Sequence, residues 1–197
     1  MRDTFNRMVG RTRYVVCRLF LHLGGSDVAP ILGVLNRAAR EAIDAEGDLQ
    51  VLGEVLVDLS ETLLRYDQDW MSAANEGNVF WSEGEAGDYV NELFTDSAER
   101  YGADIDWESP SDFDAPLSLP ATRNVVVMIT VAYEGEVPEL ETDLANIRAL
   151  KEGLRALINL HHKNKLLAIQ VHFSPAQLGD ELTNDELLQY YPELIPL

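Results

Sequence analysis

Val125-Val126-Val127-Met128-Ile129-Thr130-Val131-Ala132-Tyr133 is the longest apolar run of the chain, interrupted only by Thr130. It is far shorter than the roughly 20 residues needed to cross a bilayer, so it reads as a strand. Both of its faces are apolar, which predicts a central position in a sheet. Downstream, Leu140 to Leu160 sets Leu144, Ile147, Leu150, Leu154, Leu157 and Ile158 at helical spacing. Period-two alternation returns over Lys165 to Ser174 and stops at Pro175. A strand, a long helix and a strand in this order predict a right-handed parallel crossover. Thr183 and Glu186 have capping-box spacing, which opens a short final helix.

Tyr14 to Leu23 reads as another strand, with Val15, Cys17, Leu19, Leu21 and Leu23 on one face. Its direction is not set by the pattern. Gly24-Gly25 ends it, and helices over about Asp27 to Ala45 and Asp48 to Tyr66 follow with a short turn between them. Two such helices predict an antiparallel hairpin. A further helix is expected over about Glu85 to Tyr101. Residues 67–84 and 102–120 read as acidic, irregular segments. The expected architecture is therefore a single α+β domain over residues 14–197 behind a flexible basic leader, residues 1–13. It comprises a small three-stranded sheet with the helical hairpin and the crossover helix packed mainly on one face.

The net charge is −19, and it is unevenly spread. Residues 1–40 carry seven basic and two acidic groups, residues 41–120 two basic and 21 acidic, and residues 121–197 six basic and 11 acidic. Nucleic acid is a poor partner for this balance, because binding it requires neutralising phosphates. A protein partner with a basic surface is the fitting counterpart of the acidic middle. The single cysteine, Cys17, excludes an internal disulfide and fits a reducing compartment. No secretory signal is read, so a cytoplasmic location is expected. The leader offers Arg2, Arg7, Arg11 and Arg13 as a weak peripheral contact for an anionic membrane.

Three stretches carry a family resemblance. They are Val125 to Gly135 with its acid-glycine turn, Leu166 to Pro175, and Asp180 to Leu197. A looser likeness covers Tyr14 to Trp70, including Leu63-Leu64-Arg65-Tyr66. The chain resembles domain of unknown function 1517, a family of cyanobacteria and plant chloroplasts. That resemblance implies a phototroph protein working near thylakoid or plastid membranes, on their cytoplasmic side, in a non-enzymatic role. The family has no established functional residues, so it supplies none here. Many members place a glycine-rich stretch and a membrane segment before the domain; neither is read here, which favours a soluble paralogue.

The residues themselves suggest no catalytic, metal or cofactor site. Calcium loops counted from Asp67 and Asp104 find Ser72 and Ser109 where glycine is needed, and Asn78 and Ala115 where glutamate is needed. His161 and His162 are adjacent and suit a helix C-terminus. Cys17 faces inward, where thiols are inert. Two candidate surfaces remain. Trp70, Trp81 and Trp107 with Asp104, Asp106 and Glu108 are candidates for docking a basic partner, although tryptophans in such loops also serve as core anchors. Arg18, His22, Gln170 and His172, with Thr130, are candidates for a polar sheet face. That face either binds an anionic group, as a small ligand-binding domain or enzyme would, or lies under the acidic segment with Arg18 paired to a carboxylate. The leading expectation is a soluble, non-catalytic binding or regulatory protein.

Overall fold

The computed structural model describes residues 10–25, 28–103, 123–175 and 180–197. Its strands are β1 (Tyr14–Gly24), β2 (Trp70–Phe80), β3 (Asn124–Glu134), β4 (Leu166–Ser174) and β5 (Ile195–Pro196). Its helices are α1 (Ala29–Asp44), α2 (Leu49–Arg65), α3 (Glu83–Ala103), α4 (Ile147–His162) and α5 (Asn184–Tyr190), with a 3-10 turn at Asp67–Asp69. The strands form one five-stranded sheet in the order β4-β3-β1-β2-β5, and every neighbouring pair is antiparallel.

Alternation along β1 and β3 explains the layering. Val15, Cys17, Leu19, Leu21 and Leu23 share a face with Val125, Val127, Ile129, Val131 and Tyr133, and all are buried in the main core beneath α1, α2 and α4. The opposite face is equally covered. Val16 and Ala132 pack against Ala86, Val90 and Leu93 of α3. Phe20, Val126 and Met128 pack against Leu182, Leu187 and Tyr191 around α5. Helices therefore lie on both faces of five strands, which corrects the expectation of a three-stranded sheet covered mainly on one side.

The expected parallel crossover is also overturned, for a specific reason. Residues 140–146 are not helical, although Leu140 and Leu144 keep helical spacing and are both buried. The chain leaves β3 at Glu134 and climbs the core face of the sheet. The Asn75 side chain holds this strap: its amide donates to the Thr142 carbonyl (2.9 Å) and its oxygen accepts from the Leu144 N–H (2.8 Å). Asn146 then caps α4, accepting from the N–H groups of Arg148 and Ala149. Because the strap makes the return trip, α4 runs back down and delivers β4 beside Tyr133, antiparallel to β3.

Residues 67–84, read as irregular, contain β2. The stretch Ser72-Ala73-Ala74-Asn75-Glu76-Gly77-Asn78 has no β-branched residue to announce a strand. A backbone ladder with β1 from Tyr14↔Phe80 to Leu23↔Trp70 holds it instead. A side chain at position 77 would press on the Val16 carbonyl at 2.6 Å, so glycine is required there. The capping box at Thr183 and Glu186 is present. The expected leader ends before Arg13, which pairs bidentately with Glu141 (2.5 and 3.0 Å) and donates to the Gly135 carbonyl (2.6 Å). Residues 1–9, with Arg2 and Arg7, lie outside the described residues; Arg11 is exposed.

Glycines in the helices provide a test of the packing. An added Cβ at Gly53 of α2 would fall inside the buried His161 ring of α4, whereas Gly33 of α1 and Gly87 of α3 have nothing within 4 Å. Thermal melts should show Gly33→Ala and Gly87→Ala each raising stability by up to about 1 kcal/mol. Gly53→Ala should lower it despite the better helix former, and His161→Ala should reverse that loss.

Candidate functional site

The polar face predicted from alternation exists as one row across the sheet. Cross-strand pairing places Glu76, Arg18, Thr130 and Gln170 side by side on β2, β1, β3 and β4. Arg18 is only 2% exposed, and α3 closes over it. Its Nε–H donates to Glu76 Oε1 at 2.9 Å, and Nη2 reaches the same oxygen. Nη1 donates to the Ser97 hydroxyl at 2.8 Å and the Leu93 carbonyl at 3.1 Å, and pairs with Asp96 Oδ2 at 2.6 Å. The guanidinium thus has carboxylates on two sides and a helix above it. This geometry is that of a buried structural cation, with no donor left aimed at open solvent.

The pairing extends beyond Arg18. Asp96 also accepts from Arg100 Nε at 3.0 Å, and Arg100 Nη1 donates to Glu193 Oε1 at 2.5 Å and to the Tyr190 carbonyl at 2.8 Å. Five groups of alternating sign, Glu76, Arg18, Asp96, Arg100 and Glu193, therefore run from β2 to the C-terminal segment. Both guanidinium groups lie over the Phe20 ring, Arg18 at 4.7 Å and Arg100 at 5.4 Å from its centroid. Partial burial pushes the Asp96 carboxyl up, but Arg18 and Arg100 outweigh this and hold it below the ordinary range. Asp96 and Arg100 were legible as a helical i,i+4 pair. Glu76 and Glu193 carried no such signal.

The other members of the face are separated. His22 pairs across to Ser72 and Val126, and Val126 to Ser174, whereas His172 pairs with Met128 in the neighbouring row. The sheet thus keeps the two histidines two strands and one row apart. Asn124 Nδ2 donates to the Leu182 carbonyl (2.8 Å), so its oxygen accepts from His22 Nε2–H (3.1 Å). His22 Nδ1 is then the acceptor facing the Ser72 hydroxyl at 3.1 Å. His172 lies against Phe94, with centroids 5.3 Å apart and the rings tilted 60° to each other, and its Nδ1 is shielded without a partner, as is Gln170 Oε1. Desolvation lowers the pKa of both histidines, and the Arg18 charge lowers His172 further.

The tryptophan candidates do not form one cluster. Trp70 is buried, its Nε1–H donating to the Leu63 carbonyl at 3.2 Å, so it anchors β2 to α2. Trp81 is half-buried at the other end of β2. Trp107, Asp104, Asp106 and Glu108 lie outside the described residues. Acidic groups and aromatics occur together elsewhere, along α3. Glu83, Glu85, Asp88, Glu92 and Glu99 are exposed there, and Arg100, the helix's one basic residue, is engaged inward. Phe94 is 48% exposed, and the half-buried Phe80 and Tyr89 rings meet at a tilt, 5.4 Å apart, near the start of the helix.

Among the described residues, no group of three or more His, Cys, Asp or Glu is placed to hold a metal ion. A cleft of about 540 Å³ lies between the turn after β3 and α4, with Glu136, Glu139 and Glu152 facing Arg155, Lys163 and Lys165. Cys17 borders a second cleft but is buried, and burial pushes its thiol up to about 12. No described helix is long and apolar enough to cross a membrane. Comparison with protein families finds a match to "Protein of unknown function (DUF1517)" over residues 13–197. No curated protein and no solved structure matches the chain.

Two outcomes test this geometry. Glu76 and Asp96 are 43% and 42% exposed while Arg18 is buried, so removing the acids strands a cation that water cannot reach. Glu76→Gln with Asp96→Asn should cost about 3 kcal/mol in chemical denaturation. Arg18→Met, which leaves two solvated carboxylates, should cost less. The second outcome is a pH dependence. His22 and His172 titrate below the ordinary 6.5 when folded, so the unfolded chain binds more protons as pH falls from about 6.5. Their contribution to stability is complete above that value and shrinks on acidification; Asp96 and Glu141, with depressed carboxyl pKa values, act only at lower pH. Denaturant titrations at pH 7.5 and 5.5 should show His172→Phe losing less stability between the two than the native chain.

Proposed function

The chain belongs to DUF1517, a family of unknown function, and from that starting point we propose a non-catalytic binding or regulatory protein of a photosynthetic cell. Its docking surface is the outer side of α3, and its partner a basic segment of another protein. The observation that carries this reading is the run of exposed carboxylates along α3, with the half-buried Tyr89 and Phe80 rings near its start and the exposed Phe94 ring on its flank. Aromatic side chains supply contact area at little entropic cost, and surrounding like charges steer an oppositely charged partner toward them. The Arg18 network supports the same reading, because it fixes α3 on the sheet and so holds the surface in one shape.

The polar sheet face fits the reading in which Arg18 is covered and paired to a carboxylate better than it fits ligand binding. Arg18 already has two carboxylate partners and is covered by α3. Membrane contact through the leader loses Arg13, whose guanidinium is held by Glu141. The cellular setting, in the cytoplasm or on the cytoplasmic side of thylakoids, rests on the family alone.

Affinity capture from a phototroph lysate tests the proposal when the native chain is compared with Glu85→Gln, Asp88→Asn, Glu92→Gln combined, and with Phe94→Ser. The native chain should retain a basic protein at low salt and release it at high salt, and both variants should fail to retain it. Equal retention by the variants, or no salt-sensitive capture, contradicts the proposal.

A further inference from the structure

We propose that the outer edge of β4 pairs with the same edge of a second copy of this chain, antiparallel and two-fold about Gln170. β4 ends the sheet, and among the described residues no strand pairs with its outer side. Leu166–Ser174 contains no Lys, Arg, Asp, Glu or proline, residues that usually keep an edge strand from pairing, and its ladder with β3 runs without a shift from Ala168 to Ser174, the irregularity lying at Leu167. Every side chain from Leu167 to Phe173 is half-buried or exposed, with Leu167 at 43%, although helices lie over both faces of the sheet. On the core side Ile169, Val171 and Phe173 line an apolar groove with Leu35 and Ala38 of α1. On the other side the exposed Phe94 ring lies beside His172.

Charge selects the occupant. The strand is preceded by exposed Lys163 and Lys165. Antiparallel self-pairing keeps the basic starts of the two copies at opposite ends of the joint; parallel pairing would set lysine beside lysine. In a protein of net charge −19, an uncharged edge is also where two copies meet with least repulsion.

The register of a two-fold about Gln170 is self-complementary. It puts Ile169 across from Val171, apolar with apolar, with Phe173 and the irregular position Leu167 at the ends of the joint. Gln170 then faces its own mate. An amide both donates and accepts, and Gln170 Oε1 has no hydrogen-bond partner within the chain. The product is one continuous ten-stranded sheet, an edge-to-edge addition of the kind used in β-augmentation. Phe94 borders both surfaces, so the combined Glu85→Gln, Asp88→Asn, Glu92→Gln variant, which leaves Phe94 and β4 untouched, is the one that separates this proposal from the docking surface on α3.

Sedimentation equilibrium on the full chain tests it. The native chain should run at dimer mass. Gln170→Lys alone and Gln170→Glu alone should each run as monomers, because like charges meet across the axis. An equal mixture of the two should recover dimer mass, which a folding defect would not do. Leu167→Lys, at an exposed position, should also give a monomer that keeps the native far-UV circular dichroism, and it decides the matter if Gln170→Lys does not fold. A monomeric native chain overturns the proposal, as does a dimer that survives Leu167→Lys.

Discussion

Arg18 is the residue around which the α3 side of the molecule is arranged. A cation on a central strand, 2% exposed, is tolerable only where carboxylates and hydrogen-bond acceptors reach it. Glu76 comes from the next strand, and Asp96, Ser97 and the Leu93 carbonyl come from α3. The helix therefore has one position along the sheet at which the guanidinium is satisfied. Apolar burial supplies most of the free energy of that layer, since each fully buried Val or Leu contributes about 1.5–3 kcal/mol. The alternating charges add specificity of placement. Asp96 and Arg100 carry the same constraint outward to Glu193 and the Tyr190 carbonyl, so the C-terminal segment is registered by the same chain of groups.

What the sequence made legible follows from how strongly each element advertises its period. β1 was readable because its apolar residues alternate over ten positions, β3 because it is an apolar run broken only by Thr130, and the α1–α2 hairpin because its leucines recur three and four apart. β2 was not, since Ala73, Ala74, Asn75 and Gly77 are small or polar; the strand is held by its ladder and by a glycine that the neighbouring backbone demands. The strap before α4 imitates helix because Leu140 and Leu144 are buried at helical spacing while Asn75 and Asn146 hold the backbone otherwise. Antiparallel β4 follows from that strap, so one misread segment changed the topology of the whole sheet.

The polar face shows the same division. Strand alternation correctly put Arg18, Thr130 and Gln170 on one side, because side-chain direction is local. Register is not local. Whether His22 and His172 meet depends on how β1, β3 and β4 align, and they fall in different rows. The identity of the carboxylates facing Arg18 was equally hidden: Glu76 sits in an unrecognised strand, and Asp96 on a helix whose apolar stripe through Ala86, Val90 and Leu93 was legible but whose position along the sheet was not. Aromatic groups and acids do come together, but on α3 and not around Trp70, which serves the core.

A rigid α3 is the link between this packing and a docking function, since a helix free to rotate or lift would present no fixed arrangement of Glu85, Asp88, Glu92 and Phe94. Amide hydrogen exchange on the native chain and on Arg18→Met measures that link most directly. Exchange should accelerate across α3 and in the segment around Tyr190 to Glu193, while α2 and α4, on the opposite face, keep their protection. Unchanged protection of α3 in the variant would contradict the claim that Arg18 fixes this layer.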